Sequence, residues 1–186
     1  MKNLVLKSIW GGIFIAIGTL VFLSQYPSPL GALLFSCGLL SIFILEMKLF
    51  TGAVTFLDKN NYLDILIVLL FNLLGCCILF LLPKNESAIQ IIEKKLIIKP
   101  IYLLIDSMLC GVAISSAVLS HQRGKTWMAI VYVMVFILSG FNHSIANTCL
   151  VISSRIFTLK TLELILVSIF GNAVGSIIFY RTGVFK

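Results

Sequence analysis

The chain has 186 residues, of which 60% are hydrophobic and 11% charged, with a mean hydropathy of +1.11; soluble domains carry about a quarter charged residues, so an ordinary cytosolic enzyme is excluded. A disordered tail, a collagen-like chain and a small disulfide scaffold are excluded too, because apolar residues run in blocks of roughly twenty, the length that crosses a bilayer core. The formal charge of +7, from 14 Lys and Arg against 7 Asp and Glu, collects at block ends and in loops, where lipid headgroups account for it, and no basic face with interleaved aromatics is present to bind nucleic acid.

Apolar runs and their stops predict six membrane spans in one transmembrane domain over residues 1–186. The first covers residues 4–24 and is closed by the Pro27 and Pro29 region. It lacks a small-residue cleavage site and five spans follow, so it is read as retained rather than as a signal peptide. The second covers 30–57 and is long enough to need a break; the third covers 63–82 and stops at Pro83. Residues 86–99 mix Ile91, Ile92 and Leu96 with Glu93, Lys94 and Lys95, which predicts an amphipathic interfacial element. The fourth span runs from Pro100 to Ser120, with His121 in a solvated loop. The fifth starts at Trp127, is again overlong, and fades near Arg155; the sixth covers 159–180. Cys37, Cys76, Cys77, Cys110 and Cys149 have no metal-ligand spacing and read as small buried hydrophobes, so no metal or cofactor is expected.

The two halves resemble each other. Asn72 and Gly75 in the third span match Asn172 and Gly175 in the sixth, the segment at Gly12 matches that at Gly111, and Phe35 corresponds to Phe136. Three spans per half is an odd number, so a duplicated half must insert with opposite orientation. The expected fold is therefore an all-α membrane protein of six transmembrane helices in two inverted repeats, about 1–82 and about 99–186, with sites near the midplane where the second and fifth helices break. Both termini then share a side. Lys2, Lys7, Lys59, Arg123, Lys125, Arg181 and Lys186 would lie there, against Lys84, Lys94, Lys95, Lys99, Arg155 and Lys160, a slight bias toward cytoplasmic termini in the cell membrane.

The expected breaks are residues 46–52, with Lys48 and Thr51, and residues 140–147, with Asn142, His143 and Asn147. A new helix N-terminus at such a break favours an anion. His143 is the histidine inside an apolar span, so it is a candidate proton donor or anion ligand, the alternative being a hydrogen bond between helices.

The runs Phe35-Ser36-Cys37-Gly38-Leu39, Leu49-Phe50-Thr51-Gly52, residues 140–147 and Gly171-Asn172, in this order over nearly the whole chain, resemble the formate/nitrite transporter family. The resemblance implies an aquaporin-like fold and a homopentamer in which each protomer conducts a small monovalent weak-acid anion of the formate, nitrite or hydrosulfide class, with a proton. An intramembrane enzyme is not expected, because the spans hold no paired carboxylates, no His-Glu-x-x-His and no serine or cysteine beside a second histidine. It implies hydrophobic constrictions at Phe35 and Phe136 and at Leu39, Leu49 and Phe50, and a substrate site at Thr51, His143 and Asn172, with His143 protonating the anion. Plain packing is the alternative for the constriction residues, and an interhelical hydrogen bond for Thr51 and Asn172.

The chain departs from the family's pattern where Asn142 and Lys48 stand in place of acidic residues, making the pore more positive. Lys48 is expected to draw anions and, if close, to act on His143; the alternative is a lysine snorkelling to the interface. Gly111 stands for an asparagine and is expected to widen the pore or remove a hydrogen bond. A vestibule lysine falls at Lys94 or Lys95. The family's amphipathic segment before the first span is not expected, since the chain begins almost at the span. A neutral-solute channel and a non-transporting assembly protein are the competing functional readings. The former's Asn-Pro-Ala signature is missing.

Overall fold

In the computed structural model, which describes residues 1–183, helices account for nearly all regular structure. Lys186, counted above toward the charge bias, lies outside the described residues.

Helix α1 (Lys2–Gln25) ends where Pro27 and Pro29 stop it, and Ser28 caps α2 (Pro29–Ile44) by accepting from the Leu30 N–H. The chain then leaves helical geometry through Glu46, at φ 54°, and re-enters it in the short α3 (Phe50–Ala53) and a 3₁₀ turn at Val54–Phe56. Helix α4 (Tyr62–Cys76) tightens into a 3₁₀ segment, Cys77–Leu81, before Pro83. The amphipathic stretch forms α5 (Glu86–Leu96), capped by Asn85, which buries Ala88, Ile91 and Ile92 against Leu103, Leu150 and Leu164. Helix α6 (Pro100–Gln122) is followed by α7 (Met128–Leu138), a break with Gly140 at φ 74°, α8 (Ser144–Ser154) and α9 (Leu159–Arg181).

Nine α-helices form among the described residues, against an expectation of six transmembrane helices with the second and fifth broken. The second and fifth expected spans are each divided by a break, and α5 falls within the stretch expected to be an amphipathic interfacial element. Four stretches are long and apolar enough to cross a membrane on their own: Lys2–Gln25, Tyr62–Leu81, Pro100–Gln122 and Leu159–Arg181. Their outward faces carry exposed apolar side chains such as Trp10, Leu66, Leu70 and Phe170, a surface suited to lipid or to a neighbouring protomer but not to water.

Two tight helix pairs, α1 with α4 and α6 with α9, flank the broken elements. Small residues permit the approach. A Cβ at Gly111 would collide with the Asn172 carbonyl, and one at Gly175 with that of Met108. Of the two expectations for Gly111, a wider pore is not what its position shows: it serves packing between α6 and α9. The cysteines divide: Cys76, Cys110 and Cys149 are buried as expected, whereas Cys37 and Cys77 are exposed.

The breaks persist because their backbone groups find partners without water. At the first, the Lys48 N–H donates to Lys7 O, while Asn72 accepts from the Phe50 N–H at 2.7 Å and donates to Lys48 O and Ser8 O. At the second, Asn172 accepts from the Ser144 N–H at 2.8 Å and donates to Asn142 O and Ser107 O. The C-terminal end of α8 is closed by Arg155, in left-handed geometry at φ 59°, whose guanidinium donates to the carbonyls of Leu79, Phe80 and Leu82 and lies over the Phe80 ring.

Candidate functional site

Two cavities that share no lining residue approach the breaks. The first, about 270 Å³, is lined by Tyr26, Lys94, Lys95, Phe35, Phe136 and His143 among others. The second, about 340 Å³, is lined by Leu39, Phe43, Glu46, Lys48, Leu49 and His121 among others. Helix α2 runs from one to the other, with Phe35 facing the first and Leu39, one turn later, facing the second.

The separating ridge is apolar at both edges and polar at its centre. On the first edge the rings of Phe35 and Phe136 meet edge-on with centroids 5.8 Å apart; on the second, Leu39 and Leu49 are buried. At the centre, His143 Nε2 lies 3.0 Å from Thr51 Oγ1, and both residues are essentially inaccessible. The imidazole stacks on Phe136 at 5.5 Å, and its Nδ1 accepts from the Ala146 N–H at 3.1 Å, so His143 is itself the N-cap of α8.

That cap fixes the tautomer. With Nδ1 accepting a backbone N–H, the neutral ring carries its proton on Nε2 and gives it to Thr51 Oγ1, leaving the Thr51 hydroxyl proton uncommitted. A proton added at Nδ1 would oppose the Ala146 N–H, donor against donor. The resting geometry therefore presents a polarised donor chain, imidazole to hydroxyl, rather than a spare proton. The α8 N-terminus is likewise engaged, since the N–H groups of Ser144, Ala146 and Asn147 all have protein partners.

Several expected site residues take other places. Asn172 has both amide protons and its oxygen committed to backbone groups, so it secures the break instead of facing either cavity. Phe50 is buried and lines neither cavity; its N–H is the group that Asn72 anchors. Asn142 lines neither as well: its side-chain oxygen accepts from Lys95 Nζ at 2.7 Å and from Asn147 Nδ2 at 3.1 Å, while its own Nδ2 has no partner. Lys48 is exposed in the second cavity and His143 faces the first, so the condition under which Lys48 would act on His143 is not met.

Lys94 and Lys95 both line the first cavity but have different partners. Lys94 donates to the Tyr26 hydroxyl at the cavity mouth, whereas Lys95 reaches inward to Asn142 and to the Gly140 carbonyl. Lys95 is half-buried on α5, and loss of hydration lowers its ammonium pKa to about 8, against the opposing pull of Cys110 and Asp106. Asn72, Asn147 and Ser168 complete these networks without being expected as site residues. The sequence signal for Asn72 is its match to Asn172 in the other half. His121 corrects another expectation: it lies in the last turn of α6, stacked on Phe43, and lines the second cavity.

A family model described as formate/nitrite transporter matches residues 1–185. Among solved structures, a "pentameric formate channel with formate bound" superposes with a TM-score of 0.84 at 21% identity, covering 98% of this chain and 95% of that one. An "FNT family ion channel" also superposes at 0.84, with 20% identity and coverage of 98% and 88%. No curated protein matches the chain in sequence.

Proposed function

Because the chain belongs to the formate/nitrite transporter family and is a multi-pass membrane protein, we propose that it passes a small monovalent weak-acid anion, of the formate, nitrite or hydrosulfide class, together with a proton. The observation that carries this reading is the Thr51–His143 hydrogen bond, 3.0 Å long, buried on an apolar ridge between two cavities. A bare anion on such a ridge loses hydration worth many kcal/mol, whereas the neutral acid loses little. Lys95 gathers anions in the first cavity, the anion takes a proton there from solvent, and the donor chain of His143 and Thr51 hydrogen-bonds the neutral acid as it crosses between Phe35, Phe136, Leu39 and Leu49.

Six spans in two inverted repeats belong to the same reading. The equivalent roles of Asn72 and Asn172 support them, since each clamps the start of the helix after a break through one N–H and two carbonyls. A homopentamer in the cell membrane, with termini on the cytoplasmic side, is proposed with it. The pentameric formate channel of the same fold supports the assembly.

Liposomes containing the purified protein, given a pH gradient, test the function through uptake of formate, nitrite and hydrosulfide. Wild type should take up at least one of them. Thr51→Val, which keeps the volume but removes the hydroxyl, should slow uptake by about five- to thirtyfold if it withdraws one hydrogen bond worth about 1–2 kcal/mol. No flux of any of the three in wild type would defeat the proposal.

A further inference from the structure

We propose that the Lys48 cavity is a second, separate anion-binding site, in which the Lys48 ammonium and the free ring nitrogen of His121 hold a small monovalent anion before or after it crosses the ridge. The inference rests on the anion-transport reading above and adds to it a site on the opposite face from Lys95.

Four observations carry it. Lys48 and His121 come from different elements, the loop after α2 and the last turn of α6, yet both line one cavity of about 340 Å³. Among the described residues, neither Lys48 Nζ nor His121 Nε2 has a hydrogen-bond partner. The His121 ring is held in place, stacked on Phe43 at 4.8 Å and 11° and joined through Nδ1 to Thr126 Oγ1 at 2.8 Å, so Nε2 is its remaining nitrogen. Finally, the cavity's carboxylate, Glu46, is answered from outside by Lys7, 3.5 Å away, a residue that does not line the cavity. The cavity thus keeps an excess of positive charge on walls made by Leu39, Ile42, Leu49 and Ile114, and low-dielectric walls concentrate that field toward the ridge.

The anion receives a charge-assisted hydrogen bond from the Lys48 ammonium and a second from His121 Nε2, the ring nitrogen that bears a proton when the Thr126 hydroxyl donates to Nδ1. Since the cavity is open and Lys48 is exposed, each contribution is modest. Its signature is in binding, on one face only.

The test uses the full-length protein in sealed vesicles of known orientation, with formate offered to each face in separate runs at low and high salt. Lys48→Gln should raise the KM for formate at the Lys48 face by about two- to fivefold, the worth of an exposed ion pair, and the increase should be confined to that face. Lys48→Arg should restore it. The wild-type KM at that face should rise with ionic strength, and that rise should flatten in Lys48→Gln. His121→Gln, which keeps a donor but not the ring, and His121→Leu, which keeps neither, should differ in KM in that order. Flux with an unchanged KM at the Lys48 face in Lys48→Gln and His121→Leu overturns this inference and leaves the transport reading standing. Absence of formate, nitrite and hydrosulfide flux in wild type overturns both.

Discussion

Lys95 is a cation held by the break itself, and its surroundings give it a working range. Burial favours the neutral amine, so its positive charge is present below pH of about 8 and is lost as pH rises through that value. Uptake from the Lys95 face should therefore show a formate KM that is flat near neutrality and climbs above pH of about 8, while Lys95→Gln should show a raised KM with no alkaline limb. The partner matters as much as the lysine. Asn142 is a neutral amide 2.7 Å from the ammonium, so Asn142→Glu would set a carboxylate there, raise the lysine's pKa and cancel its charge. The expected result is a KM raised by about two- to fivefold at pH 7, with the alkaline limb shifted upward. Identical profiles in wild type and Asn142→Glu would show that Lys95 does not gather the anion.

At the scale of elements, a helix that begins inside the membrane depends on whatever satisfies its first backbone groups. For α8 these are Asn172 and the His143 ring. Removing the Asn172 amide orphans the Ser144 N–H and the Asn142 carbonyl, while the Ser107 carbonyl keeps its place in α6; each orphaned group costs about 1–3 kcal/mol if no partner replaces it, although interhelical hydrogen bonds in membranes average nearer 0.6 kcal/mol. Asn172→Ala should thus destabilise the protein by about 2–5 kcal/mol, read as a lower Tm in detergent. Ser176→Ala, which gives up one bond to Gly111 O, should lose about 1 kcal/mol or less. Equal losses would show that Asn172 is not the anchor.

The elements were legible in the sequence to different depths. The four long helices, the amphipathic α5 and both breaks follow from apolar run lengths and from where polar residues interrupt them. The internal geometry of the breaks does not, because it is set by partners 24 to 65 residues away, such as Lys48 O for Asn72 and Ser107 O for Asn172. For the same reason the sequence left Asn172 between a substrate role implied by the resemblance and an interhelical hydrogen bond, and its three polar atoms are spent on backbone. It also left open whether Lys48 comes close to His143, and the chain turning through Leu49 and Thr51 carries the two to different cavities.

For the molecule as a whole, the question is what crosses the ridge, an anion or an anion with its proton. The capped His143 has no second proton to offer while it holds Ala146, and the flanking phenylalanine and leucine side chains offer a charge nothing in return for its water. The ridge therefore favours an electroneutral passage, with cations at the mouths setting occupancy and not riding along. Membrane potential distinguishes the cases with a wide margin. Moving one elementary charge through 100 mV is worth about 2.3 kcal/mol, or roughly fiftyfold in a ratio of concentrations. In liposomes clamped with a potassium ionophore, the final internal formate concentration should follow the pH gradient and stay within about twofold when 100 mV is imposed at equal pH. Internal acidification should accompany uptake. Accumulation that instead follows the imposed potential toward roughly fiftyfold would mean that the bare anion passes, and that Thr51 and His143 stabilise a charge the geometry here leaves without compensation.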